Sequence, residues 1–146
     1  MTNLYYKEQK EPHTYTKPCG LWVSVQGERD WREWCKCEGF GISQYAHRVK
    51  LHDEANILYL KSCADLDKFT KNWGTVIYLT DIYKTTAIDW RKVALSYQGV
   101  VIAPYQWRRR MSDHTSWYYG WDCASGCIWD HKAIREIIRV PELDER

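Results

Sequence analysis

The sequence predicts an α+β domain. Strand-like and helix-like stretches are mixed along it without the regular alternation of a parallel α/β fold. Its 146 residues match the length of one domain, and a chain of that size can bury about two-thirds of its unfolded surface. The most aromatic run, WYYGWDCASGCIWD at residues 117–130, reads as the strand around which the rest is organised.

Residues 1–18 are polar and Tyr-rich with Pro12 and Pro18, and their Leu4, Tyr5 and Tyr6 suit a first short strand. Residues 20–25 alternate, placing Leu21, Val23 and Val25 on one face and Trp22 and Ser24 on the other, before Gly27 breaks the strand. Over residues 28–37, Trp31, Trp34 and Cys35 fall at i, i+3 and i+4, with Gly39 as a stop, which predicts a short helix. Residues 45–51 and 56–61 read as strands of a hairpin joined through the turn-prone residues 52–55. Ser62 can cap a helix over 63–73, with Leu66, Phe69 and Trp73 inward and Gly74 at its end. Residues 76–79 suit a short strand or a loop.

Asp89 is placed to cap the clearest helix, where Trp90, Val93, Ala94 and Tyr97 share a face and Gly99 follows the end. Residues 100–103 form a buried strand stopped by Pro104, and a polar loop over 107–116 leads to the aromatic run. A last helix is expected over 133–139, carrying Ile134, Ile137 and Ile138 and ended by Pro141. Neither an internal repeat nor a low-complexity segment interrupts the single domain expected over residues 1–146.

Aromatic residues make up 15%, with nine Trp and eleven Tyr against two Phe. Trp and Tyr favour surfaces with one dry and one wet side, so a groove with aromatic walls is expected. The net charge of +2 is too small to imply nucleic acid by itself. No apolar run approaches the roughly 20 residues that span a bilayer, and no signal peptide is recognised. The six cysteines are therefore expected as reduced thiols in a cytoplasmic protein.

Asp122 is the one acid inside the apolar run. Burying an unpaired carboxylate costs several kcal/mol or raises its pKa. Such an acid is either satisfied by structural hydrogen bonds or kept for chemistry, and the sequence leaves both open. Cys35-x-Cys37 and Cys123-xxx-Cys127, with five histidines, raise the question of zinc. Their expected places, at a helix end and along a strand face, fit buried thiols instead, and no metal ligand is assigned. Arg108, Arg109 and Arg110, beside Trp107 and residues 117–119, have the composition of a single-strand groove, of a phosphate site or of a solvated loop. Neither His114 nor His131 has a Cys or Ser at triad-like spacing. Ser24 and Ser125 are candidate hydroxyl ligands.

Together, His13 in HTYTKPCGLWVS, the GLWVS strand, the aromatic helix after it and the late acid in WDCASG resemble the ADP-ribosyltransferase superfamily. The likeness covers most of the chain in order, through short motifs. In size and late acid the chain is also similar to small phage-encoded members that disarm bacterial defence complexes. The resemblance implies two small antiparallel sheets flanking a cleft, short helices, and NAD as substrate. It implies Asp122 as the catalytic acid on the nicotinamide ribose 2′-OH, Trp22 stacked on nicotinamide, and Ser24, with Ser125, fixing the cofactor. His13, or Tyr6 if the first strand ends earlier, would meet the adenosine ribose. The acceptor would be a host protein or nucleic acid in the cytoplasm, with no membrane partner. Two departures stand out: no glycine follows His13, and the acid is Asp rather than the Glu of an E-x-E pair. The rival expectation is a non-enzymatic protein- or nucleic-acid-binding module using Trp107, Arg108 to Arg110 and Trp117 to Tyr119.

Overall fold

A computed structural model describes residues 8–13, 17–41 and 45–144; Tyr6 and the expected first strand lie outside them. In chain order the elements are β1 (Leu21–Ser24), α1 (Trp31–Glu38), β2 (His47–Leu51), β3 (Ile57–Leu60), α2 (Cys63–Trp73), β4 (Gly74–Tyr78) and β5 (Lys84–Ile88). They continue with α3 (Trp90–Ser96), β6 (Gly99–Ile102), β7 (Ser125–Ile128) and β8 (Ile134–Arg139), and 3-10 turns punctuate the second half. The mixture is α+β. Its sheets differ from the two antiparallel ones expected. Among the described residues there are three: a four-stranded sheet ordered β1-β7-β6-β3 and two-stranded ribbons β2-β8 and β4-β5. The large sheet is mixed, since β3 runs parallel to β6.

Local chemistry explains most elements. Asp30 caps α1 by accepting from Glu33 N–H, and Gly39 closes it in the left-handed region at φ 72°. Ser62 caps α2 by accepting from Asp65 N–H. Asp89 stands at the head of α3 without a capping bond; its Oδ1 lies 3.6 Å from Arg91 Nε instead. Gly99 opens β6 rather than closing α3.

Three expectations are corrected. The two strands of the expected hairpin do not pair with each other. ILYL of β3 is apolar enough to enter the large sheet beside VVI of β6, whereas β2, with Arg48 and Lys50 outward, forms a ribbon with β8. That ribbon takes the chain expected as the last helix. So short a segment gains little from helix formation, Ile137 is exposed where the helical stripe needed it inward, and β-branched isoleucines find a ladder partner in β2. Finally, residues 113–120 form 3-10 turns kinked at Thr115, and only Ser125–Ile128 of the aromatic run is strand. Thr115, Tyr118 and Trp121 are all buried, and a spacing of three is the period of a 3-10 turn. The short strand β5 went unseen because KTTAI has no marked alternation.

The core is aromatic. Trp90, Trp117, Trp121 and Trp129 pack with Tyr118, Phe69, Leu66 and Val93 between the large sheet and α2 and α3. Trp117 Nε1 donates to Thr70 Oγ1 at 2.9 Å and Trp129 Nε1 to the Tyr97 carbonyl at 2.7 Å, so these indoles are buried with their polar handles met. The composition thus supplied a core as well as a groove.

Strand β7 is buried along its whole length between β1 and β6. A Cβ at Gly126 would meet the Val100 carbonyl oxygen at 2.7 Å and Val101 Cγ2 at 2.8 Å. Gly126→Ala should therefore destabilise the fold by about 1–3 kcal/mol, the usual cost of overpacking, seen as a lower urea midpoint. At the C-terminal end of β8, Arg139 pairs with Asp144, which also accepts from Ala46 N–H at 2.8 Å. These partners hold the Asp144 carboxyl down to about 2, below its unfolded value. Its stabilisation is present above the unfolded pKa near pH ~4 and is lost as pH falls toward the folded one. Asp144→Asn should flatten the loss of stability across that window in acid-titrated unfolding curves.

Candidate functional site

A cleft of about 350 Å³ opens at the end of the large sheet, lined by Lys17, Trp22, Val23, Ser24, Trp31, Trp121, Asp122, Cys123 and Ser125. The β1–β7 register creates it: Trp22 lies opposite Cys127 and Ser24 opposite Ser125. Residues about a hundred positions apart in sequence thereby share one wall. Four residues anticipated for a site, Trp22, Ser24, Asp122 and Ser125, meet there.

Trp22 lies on edge strand β1, on the same face of the sheet as the core residues Cys127 and Val100, and is 39% exposed. The buried Trp121 ring meets it edge-on at 4.8 Å, and Lys17 Nζ sits 5.4 Å over it. Ser24 Oγ accepts from Trp31 N–H at 2.9 Å, so it fixes the start of α1 and keeps its own proton to donate. Ser125 is buried and donates to the Cys123 carbonyl at 3.0 Å, a structural bond that shapes the bend before β7. His13 is exposed and is not among the residues lining the cleft.

Asp122 lies three residues ahead of β7, beside the strand rather than on it, and is partly buried. It is not a lone charge. Arg110 Nη2 stands 3.4 Å from its Oδ1. Arg110 is itself held by Tyr105 Oη at 3.0 Å and lies 5.3 Å over the Tyr119 ring. Burial pushes the Tyr105 phenol up, so it keeps the proton that it donates to the Trp121 carbonyl. On the other side, Arg29 Nε donates to the Asp122 carbonyl at 3.0 Å, with its guanidinium 4.3 Å from the Trp107 ring. Arg29 adopts φ 55°, uncommon for a residue with a side chain. The bonds of its loop, Gly27 N–H to Asp30 and Arg29 N–H to Glu33, hold it there. Asp122 is thus structurally held, and its carboxylate borders the cleft.

Other candidates resolve differently. Arg109 is bidentate on Asp67, at 2.8 and 2.9 Å, and with Arg110 turned to Asp122 only Arg108 of the three is exposed. Trp117 and Tyr118 are buried, which removes them from the binding surface expected with Trp107 and the arginines; Trp107 and Tyr119 remain exposed. His114 does have a serine neighbour: Ser112 Oγ is 2.9 Å from Nδ1, and Nε2 is 3.1 Å from Asp67. This exposed chain ties a 3-10 turn to α2, away from the cleft lining. Among the described residues no three His, Cys, Asp or Glu side chains converge as a metal site, and all six cysteines are thiols.

Sequence reasoning missed Lys17, Trp31, Arg29 and the role of Arg110. Trp31 was legible only as a helix-face residue, although its place directly after the capping Asp30 marks it as the first residue of α1. Nothing local could signal that Arg110 meets Asp122, because the 3-10 turns between them set that contact. No family model, curated protein or solved structure matches the chain. Among the described residues no helix is long and apolar enough to cross a membrane.

Burial raises the Cys123 thiol above its usual range, which disfavours the thiolate that would act as a nucleophile. Iodoacetamide at pH 8 should therefore label the exposed Cys37 well before Cys123, as followed by peptide mass spectrometry. Early labelling of Cys123 would contradict the burial described for the cleft floor.

Proposed function

We propose that this protein is an NAD-dependent ADP-ribosyltransferase that cleaves the nicotinamide–ribose bond and transfers ADP-ribose to a macromolecular acceptor. The observation that carries the reading is the convergence of Trp22, Ser24, Asp122 and Ser125 in one cleft. Those four were singled out from two short motifs at opposite ends of the chain. The donor set suits the substrate: a flat ring surface for nicotinamide, a hydroxyl that can donate, a fixed carboxylate, and Lys17 for a negatively charged group.

In the reaction, the C1′–N bond breaks with its electron pair leaving on nicotinamide, which departs neutral. Positive charge develops on the ribose, as in glycoside cleavage. The Asp122 carboxylate, held by Arg110 and through its backbone by Arg29, stabilises that charge, as a preorganised group does better than solvent that must reorient. Trp22 and Trp121 hold the ring and keep water from the ribosyl carbon. The acceptor nucleophile then forms the new bond at C1′ and loses a proton to solvent. We take the acceptor to be a host protein or nucleic acid in the cytoplasm, as the resemblance to phage-encoded members implies.

Asp122→Asn keeps the shape of the side chain and should lower nicotinamide release from NAD by about 100- to 1000-fold, with unchanged circular dichroism. If the wild-type chain neither binds NAD nor releases nicotinamide, alone or with host lysate, the proposal fails. Full activity in Asp122→Asn would remove the acid from its role.

A further inference from the structure

The cleft has two exposed indole walls, and each is braced separately. Trp22 rests edge-on against the buried Trp121. Trp31, 43% exposed, is stacked at 4.9 Å on Trp34 with an interplanar angle of 18°, and Trp34 stacks in turn on Phe40 at 5.2 Å and 14°. Stacking occupies one face of Trp31, while the ring still lines the cleft. Its backbone is also pinned, since its N–H donates to Ser24 Oγ. A surface tryptophan held by a ring behind it and a hydrogen bond beneath it is rigid apolar area left in contact with water. Core formation does not account for that, because the buried cluster is built from other tryptophans.

A site with two braced, open indoles suits a ligand with two planar groups. Lys17, the one cation among the described residues that line the cleft, lies over Trp22, where it would meet a phosphate joining those groups. We propose that Trp31 is the platform for the adenine base of the dinucleotide, with Trp22 taking the nicotinamide ring. This assignment rests on the reading of the cleft as an NAD site. It assigns the second base to α1, and the Trp34–Phe40 stack behind Trp31 serves to keep that platform in place.

The test separates the two halves of the ligand. The full chain is titrated calorimetrically with nicotinamide mononucleotide, which lacks adenine, and with ADP-ribose, which lacks nicotinamide. Trp31→Ala should weaken ADP-ribose by about 5- to 100-fold, the range of one lost base–aromatic stack, and leave the mononucleotide unchanged. Trp31→Phe should restore most of the loss, and Trp22→Ala should show the reverse preference. Trp31→Leu keeps apolar bulk without a ring face and gives the same comparison if the alanine variant does not fold. Equal weakening of both ligands by Trp31→Ala, or of neither, would overturn the adenine assignment while wild-type mononucleotide binding left the NAD reading standing. Failure of the wild-type chain to bind either ligand would overturn that reading and the assignment with it.

Discussion

The pairing of β1 with β7 is the constraint on which the rest depends. A strand near residue 22 and a strand near residue 126 lie side by side, while β6 packs so closely on the other edge of β7 that a Cβ at Gly126 would meet it. The second residue of β7 is glycine, its other side chains are buried, and β6 occupies its far edge. Once that register is set, the chain entering β7 must bend at residues 121–124, and the bend delivers Asp122 next to Trp22. The cleft is a consequence of strand pairing, not a separate structure.

Six of the nine tryptophans divide between two tasks. Trp90, Trp117 and Trp129 are enclosed, with Trp117 and Trp129 giving their ring N–H groups to protein acceptors. Trp22 and Trp31 remain open on one side. Trp121 belongs to both groups, packed at 2% exposure in the core yet supporting the Trp22 ring. Through its carbonyl it also receives Tyr105, which holds Arg110, which pairs with Asp122. The packing of the interior and the aim of the carboxylate are therefore linked by a short series of polar contacts.

What could be read from the sequence was what is local. Alternation placed β1, the spacing of Trp31, Trp34 and Cys35 with Gly39 as a stop placed α1, the Ser62 cap placed α2, and Trp22 and Ser24, which share one face of β1, proved to line a cleft. Pairing was not legible. Residues 45–51 and 56–61 looked like neighbours because they are close in the chain, but the apolarity of one and the polarity of the other send them to different sheets. The isoleucines at 134, 137 and 138 fit a helical spacing, and a ladder partner more than eighty residues away decided otherwise. The aromatic run was taken for strand on composition, whereas its first part folds as 3-10 turns that bury Trp117 and Tyr118 and leave Tyr119 exposed. Asp122 was found because an acid in an apolar run stands out; Arg110 was not, because an arginine in a polar loop does not.

The bracing of the two open indoles has a thermodynamic corollary. Holding a loose side chain at an interface costs about 0.5–1.5 kcal/mol in lost rotamer freedom for each one immobilised. Here Trp121 and Trp34 have already restricted those rings when the chain folds. A planar ligand there would meet walls already restricted, so less of its contact energy would go into ordering them.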